Sequence, residues 1–272
     1  MAVVTGAASG IGLALSERLA VEGMHVVMAD VEEIALNSAA AALRADGASV
    51  LAVPTDVSRA DDVEALAKET LSAFGGVHLL CNNAGVSTGV RAAVWEIPLE
   101  DWRWIIGVNL FGVIHGVRAF MPALLEQEEA HIVNTASVAG LITGALGAYS
   151  VSKHGVVAFS EALQLQLQMR GGAVGVSVLC PGWVRTRIAD SDRNRPGGQA
   201  EADGDALVVA AEQAMRALIE GGMEPAEVAA EVVEAVRANR FYVLTHPAMA
   251  VGVERRMRDI LEGRPPTLPS PM

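Results

Sequence analysis

Lysine is nearly absent from this 272-residue chain: of its 20 basic residues only Lys68 and Lys153 are lysines. Arg cannot give up a proton and carries a bulky planar fork, whereas Lys is a compact charge on a flexible stem. A lysine kept at 153 therefore marks a place where that kind of charge is required. Cysteine is as scarce, and Cys81 and Cys180 each end a short apolar run, so no disulfide framework is expected. The six histidines show no ligand spacing with one another or with cysteine, which argues against a metal site. Positive charge is in deficit, with a net charge of −12 and a pI near 4.9. Such a surface repels phosphate backbones and anionic lipid, so neither nucleic acid nor membrane is an expected partner. No apolar run reaches eighteen residues and no basic leader precedes Ala2-Val3-Val4, so the reading is of a soluble, cytoplasmic protein. No internal repeat is present.

What is abundant is apolar material, 51% of residues against 19% charged, enough for a large core. It is arranged in a rhythm. Short unbroken apolar runs at Ala2–Thr5, His25–Ala29, Val50–Val53, Val77–Cys81, His131–Asn134, Val174–Leu179 and Phe241–Leu244 alternate with helical periodicity over 10–23, 32–46, 59–74, 98–127, 148–170 and 225–239. Strands apolar on both faces need cover on both faces, which predicts an α/β fold: a doubly wound parallel sheet of about seven strands with helices on either side, in one domain. Two stretches break the rhythm. Residues 187–205 are rich in Arg, Asp, Gly and Pro without periodicity, as in a lid, and the tail from Arg264 through Pro271 reads as an extended polyproline arm.

Tyr149 and Lys153 are four residues apart on a predicted helix, so phenol and ammonium share a face. To serve as a base at neutral pH a phenol must titrate roughly three pH units below its usual value, about 4 kcal/mol. A cation about 5 Å away at an effective dielectric near 20 supplies roughly 3 kcal/mol of that. Alone, the pair describes any solvated helix face; its company decides. The first strand runs into Thr5-Gly6-Ala7-Ala8-Ser9-Gly10-Ile11-Gly12 and opens a helix, so backbone N–H groups can approach a pyrophosphate closely. Asp30 closes the second strand, where a carboxylate accepts hydrogen bonds from a ribose diol and repels a 2′-phosphate. Val31 beside it is not basic. NAD is therefore expected over NADP.

With Asp56-Val57, Asn82-Asn83-Ala84-Gly85, Asn109, Ser137, Tyr149-x-x-x-Lys153 and Pro181-Gly182 followed by Thr186, in order over residues 5 to 186, the chain resembles the short-chain dehydrogenase/reductase family with its Rossmann-type sheet. The resemblance implies catalytic roles for Asn109, Ser137, Tyr149 and Lys153. It implies cofactor contacts from Gly6, Ser9, Gly10, Ile11, Gly12, Asp30, Asp56, Val57, Asn83, Ala84, Gly85, Tyr149, Lys153, Pro181, Gly182, Val184 and Thr186. Tyr149 would exchange the hydroxyl proton during hydride transfer, Ser137 would polarise the substrate oxygen, and Asn109 would hold a water relaying protons from Lys153. On this reading residues 1–85 form the dinucleotide-binding half, 86–186 the catalytic half, 187–224 the substrate lid, and 225–272 the C-terminal helices, last strand and tail.

The separation of Ser137 from Tyr149 is twelve, where many members of that family have thirteen, so the loop Gly140–Ala148 is expected to shape one pocket wall differently. Walls drawn from 86–98, 138–148 and 183–222, with Trp95, Leu141, Ile142, Leu146 and Trp183 as bulky groups, suit an apolar or aromatic secondary alcohol or ketone. Trp102 and Trp104 are expected in core packing, and Arg91, Arg185 and Arg187 as exposed loop charges. The region after Pro181 is also similar to dehydrogenases of benzylic alcohols in lignin-derived dimers. Helices 98–127 and 148–170 are apolar around much of their circumference, and by resemblance they pair subunits in a homodimer or homotetramer. The alternatives are an NAD(P)H-sensing regulatory protein on the same fold and an epimerase or dehydratase of the extended relatives, for which the chain is short.

Overall fold

The computed structural model describes residues 1–88, 93–142, 144, 146–198 and 206–267. The apolar runs become strands β1 (Ala2–Thr5), β2 (Val26–Asp30), β3 (Val50–Pro54), β4 (Leu79–Asn82), β5 (Ala130–Thr135), β6 (Val174–Leu179) and β7 (Tyr242–Val243). All pair in parallel, in the order β3-β2-β1-β4-β5-β6-β7. The helices are α1 (Gly10–Val21), α2 (Glu33–Ala45), α3 (Ala60–Phe74), α4 (Leu99–Ile106), α5 (Gly112–Leu125), α6 (Gly147–Met169), α7 (Ala206–Glu220), α8 (Pro225–Arg237) and α9 (Ala250–Leu261).

Because successive strand residues point to opposite faces, each strand feeds two cores. Val4, Met28, Cys81 and Val133 pack under α1, α2 and α8. Their neighbours Val3, Val27, Leu80 and Ile132 pack under α3, α5 and α6. Leu15, Leu36 and Leu66 are fully buried there, each contributing about 1.5–3 kcal/mol. The chain winds from β1 outward to β3, then crosses to β4 on the other side of β1. That reversal leaves a crevice at the carboxyl ends of β1 and β4, the place where doubly wound sheets bind ligands.

Three segments differ from the sequence expectation. Residues 98–127 do not form one regular helix: α4 and α5 are joined by a π-helical turn, Gly107–Phe111, with Asn109 inside it. A π-turn accommodates an extra residue within a helix, which hydrophobic periodicity alone does not register. The aperiodic stretch after Arg187 contains a 3-10 helix, Ile188–Asn194, and α7 lies within the expected lid. β7 is two residues long because only Tyr242 and Val243 pair with β6. Residues 199–205 and the tail from 268 lie outside the described residues. By length and composition Leu99–Leu125 could cross a bilayer, yet Ile105, Val113, Phe120 and Leu124 in it are buried in the protein.

Candidate active site

The crevice is a cavity of about 600 Å³ running from the end of β2 to the start of α6. At its β1 end the backbone sets the shape. Gly6 adopts φ +66°, the left-handed region that suits glycine. Gly12 sits so close to the turn that a Cβ there would lie 2.1 Å from the Gly6 carbonyl oxygen and 2.6 Å from Asn83 Nδ2. Thr5 ties the two strand ends together: its Oγ1 accepts from the Asn83 and Ala84 N–H groups at 2.9 and 3.1 Å, and its carbonyl accepts from Asn83 Nδ2 at 2.9 Å.

These residues fit a dinucleotide. Ser9 precedes α1 in extended conformation without a side-chain cap, so the first-turn N–H groups of the helix open towards a cavity lined by Ser9, Gly10 and Ile11. Asp30 lines the same space and is fixed in place, its Oδ2 accepting from Ala8 N–H at 2.9 Å and its Oδ1 from Glu32 N–H at 3.0 Å.

At the far end, Ser137, Tyr149 and Lys153 meet. Ser137 and Tyr149 line the cavity together, and the Ser137 side chain is placed to favour the ionised form of the Tyr149 phenol. Lys153 Nζ lies 5.7 Å from the centre of the Tyr149 ring and donates to the Thr135 carbonyl at the end of β5, at 2.9 Å. The one-residue-shorter loop does not separate Ser137 from Tyr149. A 3-10 turn, Val138–Gly140, packs its last residue directly on α6, where a Cβ on Gly140 would stand 2.6 Å from the Lys153 carbonyl oxygen. Burial pushes the Tyr149 phenol up, and the Ser137 hydrogen bond acts against that. Burial lowers the Lys153 ammonium to about 8.

Of the catalytic and cofactor-contact residues implied by the resemblance, all but Gly12 and Asn109 line this one cavity. Gly12 is a packing position behind the turn. Asn109 lies behind the wall with no exposure, its Oδ1 accepting from Val86 N–H at 2.8 Å and its Nδ2 donating to the Val86 carbonyl and to Ser152 Oγ at 2.9 and 3.0 Å. It thereby ties the π-turn to α6, one residue before Lys153.

Among the bulky groups, Ile142, Leu146 and Trp183 line the cavity, whereas Trp95 is 82% exposed and Leu141 packs in a small core beside α6. Trp104, expected in core packing, is buried but faces the cavity. Arg91 is outside the described residues. Sequence reasoning missed Glu32 and Arg193, which also line the cavity. The Arg193 guanidinium beside Glu32 holds that carboxyl below the usual range. Their separation of 161 residues left no local signal.

The comparisons agree with this architecture. The family model for short chain dehydrogenases matches residues 1–197. A 1-deoxy-11-beta-hydroxypentalenate dehydrogenase of Streptomyces arenae is 41% identical over 99% of this chain and 90% of its own length. A C alpha-dehydrogenase of a Sphingobium species is 30% identical over 98% of this chain and 87% of its own. A short chain dehydrogenase/reductase from Burkholderia phymatum, solved in complex with NAD, superposes with a TM-score of 0.95 at 48% identity, covering 100% of this chain and 97% of that one. With a family match over more than two-thirds of its length and relatives aligned from end to end, the chain belongs to the short-chain dehydrogenases and is an oxidoreductase.

Proposed function

We propose that this oxidoreductase interconverts a secondary alcohol and its ketone with NAD as the redox partner, and that the alcohol is carried on a bulky apolar skeleton. The observation that carries the reading is the convergence of Ser137, Tyr149 and Lys153 at one end of a cavity whose other end presents Ser9, Gly10, Ile11 and Asp30.

When bound, the nicotinamide accepts or donates the hydride. Asp30 receives the ribose hydroxyls at the β2 end, the first turn of α1 receives the pyrophosphate, and Asp56 and Val57 flank the adenine. Asn83 to Gly85 and Pro181 to Thr186 border the nicotinamide half. Ser137 orients the substrate oxygen and polarises it by a hydrogen bond. Tyr149 takes the hydroxyl proton in oxidation and returns it in reduction, as a general base and acid. Lys153 favours the phenolate through its charge, and its lowered affinity for protons lets it pass one onward. Asn109 holds the turn against which Lys153 is set.

The apolar side of the cavity supports the substrate class. Trp104, Ile142, Trp183, Met215 and Ile219 offer no charge to a substrate there, while Arg187 and Arg193 are grouped with Glu32 towards the β2 end. The named activities of the relatives, on a hydroxypentalenate and at a C alpha position, favour a hydroxyl on an alicyclic or benzylic carbon. Exposed Phe111, Leu125, Val151 and Leu165 on the π-turn, α5 and α6 support a homodimer or homotetramer through those helices. The test is NADH formation from NAD with a panel of alicyclic and benzylic secondary alcohols. Turnover of at least one is expected. Tight NADH binding with no turnover across the panel would instead favour a nucleotide-sensing protein.

A further inference from the structure

The segment 187–196 lines the cavity along most of its length and is held by two arginines, Arg193 and Arg195, that the proposed chemistry does not use. On one side Arg193 Nε and Nη2 reach Glu32 Oε1 at 2.9 and 2.5 Å, and Asn194 Nδ2 adds a third hydrogen bond to the same oxygen at 3.1 Å. Glu32 is two residues from Asp30, so this anchor lies at the ribose end. On the other side Arg195 forms an ion pair with Asp101, whose side chain is 1% exposed, at the first turn of α4. Neither Asp101 oxygen has a well-aligned hydrogen bond from another group among the described residues, so the buried carboxylate depends on Arg195 for its compensation. One turn along α4, Trp104 faces the cavity and packs in one cluster with Ala148, the neighbour of Tyr149.

The segment is also organised within itself. Arg193 Nη1 donates to the Arg187 and Asp190 carbonyls at 3.2 and 2.9 Å, and Arg216 of α7 holds Asp190 Oδ1 at 2.7 Å. Ser191, Arg193, Asn194 and Pro196 all line the cavity.

We infer that 187–196 is a strap across the cofactor cleft, pinned at Glu32 by Arg193 and at Asp101 by Arg195, which retains the dinucleotide and links its adenosine end to the mouth of the alcohol site. This rests on the NAD reading above. A ligand filling the cleft under the strap leaves only when a pin opens, and because both pins hold one short, internally bonded segment, opening either frees the whole.

The experiment is release of NADH, chased by excess NAD and followed by nucleotide fluorescence in stopped flow, which needs no turnover. Arg193→Met is expected to speed release at least tenfold. Arg195→Met alone strands a buried carboxylate, so Asp101→Asn/Arg195→Met is the measured pair, also expected at tenfold or more, while Arg195→Lys stays within threefold of the parent. The triple variant is expected to release no more than about threefold faster than either, because the pins share one strap. Unchanged release, within twofold, from folded Arg193→Met and Asp101→Asn/Arg195→Met would overturn the strap while leaving the cofactor reading intact. Failure of the parent protein to bind NADH at all would overturn the cofactor reading, and the strap with it.

Discussion

On the β1 and β4 side of the cavity, Thr5, Gly6, Gly12 and Asn83 fit together through backbone contacts, with atoms so close that a methyl group on Gly12 has no room. On the opposite side the segment 187–196 is held by arginine side chains reaching carboxylates 161 residues away or on another helix. The first wall is rigid because its shape is main-chain geometry, and any side chain in the wrong place disrupts it. The second is held by groups that can separate and re-form, so it can move without unfolding the sheet. On the proposed reading, one cavity combines a fixed cradle for the cofactor with a cover that can move.

That contrast breaks if the two walls respond alike to substitution. The largest effect is expected at Gly12→Ala, where the added carbon meets backbone at 2.1 Å: a loss of about 3 kcal/mol of stability in chemical denaturation together with NADH affinity. A mild, purely local effect there would remove the case for a rigid cradle.

Next comes a response in the floor of the sheet rather than in either wall. Burial lowers the His131 imidazole on β5 to about 4, and its Nε2 lies 2.8 Å from Ser177 Oγ. The unfolded chain, titrating near the usual 6.5, therefore binds more protons than the folded one between about pH 4 and 6.5, so stability falls as pH drops through that window. The loss should approach about 3 kcal/mol, and His131→Gln should flatten it in thermal melts against pH.

A smaller change is expected for Asp30→Ser, which keeps a hydrogen-bonding group at the ribose end but removes the charge that repels a 2′-phosphate. The kcat/KM with NAD should fall about tenfold, about 1.4 kcal/mol, while the value with NADP rises. No gain with NADP would show that Asp30 only braces the Ala8 turn. The smallest effect belongs to the outside of the cover: Arg216→Ala breaks a half-exposed pair with Asp190 and should cost no more than about 0.5 kcal/mol by denaturation.

The two walls also differ in how well they could be read from the sequence. Unbroken apolar runs placed seven strands close to where they lie, because a parallel sheet buried on both faces needs such runs. Gly6, Gly10, Asp30, Tyr149 and Lys153 were legible because a glycine turn, a carboxylate closing a strand and i, i+4 spacing leave local traces, whereas Ser137 was found only through the resemblance to the family. The π-turn around Asn109 left none, since one extra residue in a helix does not disturb the apolar pattern enough to notice. Trp104 packs in a core cluster as expected, and its second role as a cavity wall left no trace because burial and cavity lining look the same in a sequence. Arg193, Arg195, Glu32 and Asp101 were illegible for a plainer reason: a charge carries no mark of the partner that tertiary structure will bring to it.

The central claim is that Tyr149 carries the proton while the rest of the cavity holds the cofactor. Tyr149→Phe removes one oxygen from a side chain whose ring can stay where it is. NADH should bind to this variant within about threefold of the parent, while kcat with the best alcohol of the panel falls at least about 10³-fold, as removal of a general acid–base group does. Turnover preserved in Tyr149→Phe, with NADH binding intact, would contradict the account.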